Sequence, residues 1–159
     1  MKVVLNTSPL IFLTRLELLE IFLSQSGEYF TPQAVFDEIQ AKEDEVSLSL
    51  KKIFANQKIE IKPIQMSVLA NSLNQRLGRG ESEAMTLALE LNANYIILDD
   101  FAARREASRL GLQVKGTLAI IKKLHQEGQI TIDNLEDLYQ RIISIGFRVK
   151  RSIFDDIFA

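Results

Sequence analysis

The run Asn94-Tyr95-Ile96-Ile97-Leu98-Asp99-Asp100 decides the fold. Its four large apolar residues in a row are too few for a core helix. They read as a short strand buried on both faces, which is the habit of strands in parallel sheets. Asp99 and Asp100 mark where the chain leaves that sheet. A helical pattern follows over residues 101–110, Gly111 ends it, residues 112–114 read as another short strand, and a helix runs from Thr117 to about Gln126.

The same alternation extends back to the amino terminus. Val3-Val4-Leu5 reads as a buried strand ending at Asn6-Thr7-Ser8, with Ser8 as a helix cap and Pro9 in the first turn. One helix is then predicted toward Gly27, because Leu10, Leu13, Leu16, Leu19 and Leu23 recur at helical spacing. Residues 28–31 form a second strand. Thr31-Pro32 opens a helix to about Ala41 with Val35, Phe36 and Ile39 inward. Residues 43–54 are helical, and residues 58–64 alternate charged and apolar like a half-exposed strand. Helices over 67–77 and 80–91 flank the turn Gly78-Arg79-Gly80. Strands alternating with amphipathic helices imply βαβ crossovers, so the fold class is α/β, three layers with a central parallel sheet. The 159 residues suit a single domain, with a core over about 1–126 and a helical tail over about 131–159.

Composition narrows the function classes. With 47% hydrophobic and 25% charged residues the chain is an ordinary globular one. No cysteine means no disulfide frame, thiolate metal site or cysteine nucleophile. The apolar amino-terminal run is broken by Asn6, Thr7, Ser8, Arg15 and Glu17, so the clean apolar core of a signal peptide is not expected, and no stretch approaches the roughly 20 apolar residues that span a bilayer. The expected location is the cytoplasm, with no membrane partner. A net charge of −2 excludes a bulk polycation, so a nucleic-acid partner needs a local basic patch or metal ions.

In open parallel sheets ligands collect beyond the carboxyl ends of the strands. Two predicted strands end in polar residues there, at Asn6-Thr7-Ser8 and at Asp99-Asp100. Paired carboxylates after a buried strand either cap the next helix or hold a cation. In the helix over 80–91, at about 100° per residue, Glu81 projects near the middle of an apolar arc made by Ala84, Met85, Leu87, Ala88, Leu89 and Leu91. Glu83, Thr86 and Glu90 lie on the polar side or its border. Glu81 is either a dipole-stabilised first-turn acid or an acid with a partner. Glu38 borders an apolar face, and spacing alone makes it a surface residue. Carboxylates without histidine or cysteine suit hard cations such as Mg²⁺ or Mn²⁺. The lone His125 has no companion and reads as structural or surface. A receiver domain would need paired acids after the first strand. A nucleotide fold would need glycines there, and Asn6-Thr7-Ser8-Pro9 supplies neither.

The ordered set VVLNTSPLI, PQAVFDEI, GRGESEAMTLALE, NYIILDD and FAARREASRLGLQVKGTLAII resembles PIN-domain proteins, closest to a poorly characterised PIN-like subgroup related to the toxins of toxin–antitoxin operons. The likeness covers roughly residues 1–126, and the tail GFRVKRSIFDDIF also resembles that subgroup. The resemblance implies a Mg²⁺- or Mn²⁺-dependent ribonuclease with acids from four places. Asn6 stands where the first is usually aspartate. Glu38 matches the second and Asp99, with Asp100 adjacent, the fourth. For the third, motif register favours Glu83 and the helical face favours Glu81. Thr7 and Ser8 match small hydroxyl positions near the metal. Near the acids in sequence, Arg76, Arg79, Arg104, Arg105, Arg109 and Lys115 are candidates for phosphates, or else solvated helix surface. The amide of Asn6 ligates through its carbonyl oxygen without charge, so one metal is expected rather than two. RNA, an antitoxin protein and a second copy of the chain are the implied partners. The other reading is a catalytically inactive PIN-like module binding RNA or protein.

Overall fold

The computed structural model describes residues 1–159. In chain order it runs β1 (Lys2–Leu5), α1 (Thr7–Arg15), α2 (Leu19–Leu23), β2 (Glu28–Pro32) and α3 (Gln33–Gln40). Then come α4 (Glu45–Ala55), β3 (Glu60–Lys62), α5 (Ser67–Asn74), α6 (Arg79–Leu91) and β4 (Tyr95–Ile97). The chain finishes with α7 (Phe101–Arg109), β5 (Val114–Lys115), α8 (Thr117–Gln126), α9 (Leu135–Ser144) and α10 (Arg151–Phe158). All five strands join one parallel sheet in the order β3-β2-β1-β4-β5. This is the three-layer α/β/α arrangement that the alternation of strands and helices predicts.

Successive strand residues point to opposite faces, and the two cores divide accordingly. Val3 and Leu5 of β1, Tyr29 of β2 and Tyr95 and Ile97 of β4 enter a core shared with the first four helices and with α8, α9 and α10. Val4, Phe30, Ile96 and Leu98 enter the opposite core, closed by Leu73 of α5, Ala84, Met85, Leu87 and Ala88 of α6 and Ala103 and Ala107 of α7. The small residues of α6 and α7 let both helices sit close on the sheet.

Several boundaries differ from the sequence reading. The helix predicted from Ser8 toward Gly27 is two, because Glu17 turns left-handed at φ 60° between α1 and α2. Leu16 and Leu19 are both buried across that turn, so the apolar period runs on and conceals it. Asn6, not Ser8, is the cap residue of α1, and Ser8 is an exposed first-turn residue. The last strand lies at Val114–Lys115, paired with Ile96 and Ile97, rather than at 112–114. Leu112 packs instead beneath α7. Thr86 is fully buried rather than polar-side, its hydroxyl donating to the Ser82 carbonyl at 2.8 Å. α6 is enclosed by α3, α5 and the sheet, so it has almost no free side.

Candidate active site at the carboxyl edge of the sheet

α1, α3, α7 and α8 each start directly after a strand at the carboxyl edge of the sheet, and α6, which leads back to β4, starts there too, so their free N–H groups and positive dipole ends collect at that edge. That field explains where the acids sit. Asp100 caps α7, accepting from the Ala103 N–H at 2.9 Å. Asp99 binds the start of α8 with both oxygens, from the Thr117 N–H at 2.8 Å and the Thr117 hydroxyl at 2.6 Å. Glu81 accepts from the Gly78 N–H at 3.3 Å at the start of α6. Glu83 accepts from the Ala34 N–H at 3.1 Å, in the first turn of α3. Each acid thus has a capping role, whichever chemistry it also serves.

Two of them are uncomfortable as anions. Burial pushes the Asp99 carboxyl above its ordinary range, against the Thr117 hydrogen bonds and nearby Arg104, which pull it down. Burial also raises Glu81, and the negative charges of Asp100 and Glu38 add to the rise, against the Gly78 N–H. Glu81 therefore shares a field with Glu38 and Asp100. Glu83 has an arginine instead: Arg79 reaches it at 3.3 Å and Asp37 at 3.4 Å, a clasp between α6 and α3. The apolar-face reading placed Glu81 toward a partner, and its neighbours are these acids.

Asn6 and Glu38 face each other across a glycine. A β-carbon at Gly80 would fall 2.4 Å from Glu38 Oε1 and 3.6 Å from Asn6 Oδ1, so only glycine leaves that space. Thr7 fixes the other oxygen of Glu38, its hydroxyl donating at 2.8 Å. Asn6 itself is 6% exposed, and its Oδ1 is the one buried side-chain polar atom without a hydrogen-bond partner. A buried acceptor left bare costs on the order of 1–3 kcal/mol.

The remaining residues singled out from sequence scatter. Ser8 is exposed in the first turn of α1. Arg104 turns inward, its guanidinium donating to the Leu98 carbonyl at 3.2 Å and lying against Gly116 beside Asp99. Arg105 is exposed on α7, its guanidinium 5.8 Å from the Phe101 ring centroid. Lys115 does not join the acids. Its ammonium lies 4.3 Å from the Tyr95 ring centroid near Lys123, toward the sheet's amino edge, and burial lowers its pKa. His125 is exposed, with Nδ1 3.4 Å from the Ile130 carbonyl. Sequence reasoning did not pick out Gly80, Gly116 or Thr117. The Gly-Thr pair opening a helix after the last strand was the available signal, since such a start must abut the carboxyl edge.

The donor set suits a hard cation: an unpartnered amide oxygen, the carboxylates of Glu38, Glu81, Asp99 and Asp100 at the same sheet edge, and no nitrogen or sulfur ligand. No three acidic or histidine side chains already close around one point. Glu38 and Asp100 are exposed, and exposed side chains change rotamer in picoseconds to nanoseconds.

A parallel α/β/α sheet with acids gathered at its carboxyl edge has its polar groups where open α/β sheets bind ligands. The chain belongs to the PIN-domain family: a family model described as a PIN domain matches residues 2–159. PIN domains are generally metal-dependent nucleases. Among solved structures, the chain is similar to a PilT N-terminus domain protein from the hyperthermophilic archaeon Sulfolobus solfataricus P2. The two are 20% identical over 77% of this chain and 92% of that one, with a TM-score of 0.49. No curated protein matches the chain. No helix is long and apolar enough to cross a membrane.

Proposed function

We propose that this protein is a Mg²⁺- or Mn²⁺-dependent endoribonuclease whose centre is the carboxyl-edge cluster of Asn6, Glu38, Glu81, Asp99 and Asp100. The observation that carries the reading is the bare Oδ1 of Asn6, buried and facing Glu38 across Gly80. A cation there gives that oxygen the partner it lacks and offsets Asp99 and Glu81, whose pKa burial raises, with repulsion from Asp100 and Glu38 adding to the rise at Glu81. Asn6, Glu38 and Asp99 would hold the ion, with Glu81 or Asp100 completing its shell. Bound there, the metal would supply an activated water and stabilise the leaving oxygen of a phosphodiester.

The protein's own residues do the rest. Thr7 holds Glu38 in register, and Thr117 pins Asp99 through two hydrogen bonds. Glu83 acts as a positioning residue: with Arg79 and the Ala34 N–H it locks α6 onto α3, the helix that carries Glu38. Because Asn6 brings no charge, the site suits one ion better than two. A role as the toxin of a toxin–antitoxin pair, with the antitoxin covering this cleft, is part of the same reading.

The test is cleavage of mixed-sequence single-stranded RNA by purified protein with and without Mn²⁺, beside a Glu38→Gln, Asp99→Asn double variant. Metal-dependent cleavage that the double variant lacks is the expected result. If neither protein cleaves and calorimetry detects no Mn²⁺ binding, the nuclease reading fails. A module that keeps the fold to bind RNA or protein then replaces it.

A further inference from the structure

Twelve aromatic side chains are present, nine Phe and three Tyr, and all but one are buried or partly buried. The exception is Phe101, 74% exposed on the first turn of α7 and directly after Asp100. An exposed phenylalanine on a helix start contributes nothing to the core beneath it, which Ala103 and Ala107 supply. Its ring is backed by the Arg105 guanidinium at 5.8 Å, one turn further along the same helix.

Beside Phe101 runs an open groove of about 210 Å³ between the α5–α6 turn and α7, lined by Arg76, Leu77, Ala102, Arg105, Glu106 and Arg109. Three arginines against one glutamate leave it positive within a chain of net charge −2. Glu106 pairs with Arg76 at 3.0 Å and with Arg109 at 3.6 Å, so it orders both guanidiniums while they stay largely exposed. The groove adjoins the acid cluster on both walls. Leu77 precedes Gly78, whose N–H binds Glu81, and Phe101 follows Asp100.

We propose that Phe101, backed by Arg105, is a stacking platform for an unpaired base of single-stranded RNA, and that Arg76 and Arg109 hold the phosphates of the strand leading to the acids. Aromatic faces stack any base but need it unpaired, while guanidiniums track the backbone. A duplex keeps its bases stacked inside and cannot offer one to Phe101. This selects single strands without sequence readout. The inference rests on the nuclease reading for the kind of ligand, so its test reads binding apart from cleavage.

The measurement is fluorescence anisotropy in chelator, with a short single-stranded RNA, its hairpin duplex and its abasic counterpart, on the full chain. Phe101→Ala should weaken single-strand binding about tenfold with the salt slope unchanged, and Phe101→Trp should restore it. Arg109→Ala should lower the salt slope by about 0.7, the loss of one phosphate contact on a single strand. Equal binding of the abasic strand, or RNA binding unchanged in Phe101→Ala, overturns the platform and leaves Phe101 to a protein contact. Wild-type protein that cleaves with Mn²⁺ while Phe101→Ala binds normally sinks only the platform. Phe101-dependent binding without cleavage sinks only the nuclease.

Discussion

Asn6 and Gly80 show how much a single atom governs here. A methyl group at position 80 meets Glu38 Oε1 at 2.4 Å, and the end of an exposed side chain yields more easily than backbone does. Gly80→Ala is therefore expected to fold, with its melting temperature near that of the wild type, while displaced Glu38 lowers cleavage about 10²-fold. Parallel melting curves and cleavage rates check both halves. Asp99→Asn should behave differently. The amide keeps one acceptor and one donor for Thr117 but removes a buried charge, so the metal-free variant melts higher than the wild type in chelator. Added Mn²⁺ should then raise the wild-type melting temperature and leave the variant unmoved. Glu81 and Glu83 separate by the same two readouts. Glu81→Gln should weaken Mn²⁺ binding, and Glu83→Gln should chiefly destabilise, since it loosens the α3–α6 clasp. Asp99 was legible in the sequence because two acids closing an apolar strand are unusual. Glu38 was not, since its partner Thr7 lies 31 positions away and helical spacing carries no trace of that contact.

At the scale of elements, Glu81, Asp99 and Asp100 are where helix starts want them, and the same rule operates away from the site. Asp44 caps α4, accepting from the Ser47 N–H at 2.8 Å, and that bond holds its carboxyl below the ordinary range. A pKa lower in the folded chain than in the unfolded one stabilises above the unfolded value, near 3.9, and the gain is lost as pH falls. Asp44→Asn keeps the cap, so its melting temperature should fall less steeply than that of the wild type as pH drops below about 4. Element types were legible because β1, β2 and β4 are built on short apolar runs between polar turns and β3 alternates charged and apolar residues as a half-exposed strand does. Boundaries were less so: the break at Glu17 sits inside an unbroken leucine period, and the last strand has only two residues to announce it. Lys115 shows the cost of that uncertainty. Once in the strand, it is directed along the sheet to Tyr95 instead of toward the acids.

The whole molecule is held together as much by its tail as by its sheet. Ile142, Phe147 and Phe154 are buried in the same core as β1, and Phe154 packs edge-on against Tyr139 and at a tilt against Phe158, at centroid distances of 5.0 and 4.7 Å. Arg141 reaches back to the Leu16 carbonyl at 3.0 Å, and Arg15 to the Ile145 carbonyl at 2.8 Å. Phe154→Ala should cost about 3–5 kcal/mol in denaturant unfolding, the range for a truncated core aromatic; a loss below about 1 kcal/mol would show a tail that folds apart. The division into a core over 1–126 and a tail beyond it describes the motifs, but the packing does not respect it. Strand order carries one more implication. Of the five strands β1 comes first in the chain and lies in the middle of the sheet, and its second neighbour, β4, is not made until residue 97. A nascent chain must therefore keep one side of that strand bare until β4 has been made. It also lacks Asp99 and Asp100 until then, so β1 gains its second neighbour and the carboxyl edge its last acids in the same late stretch.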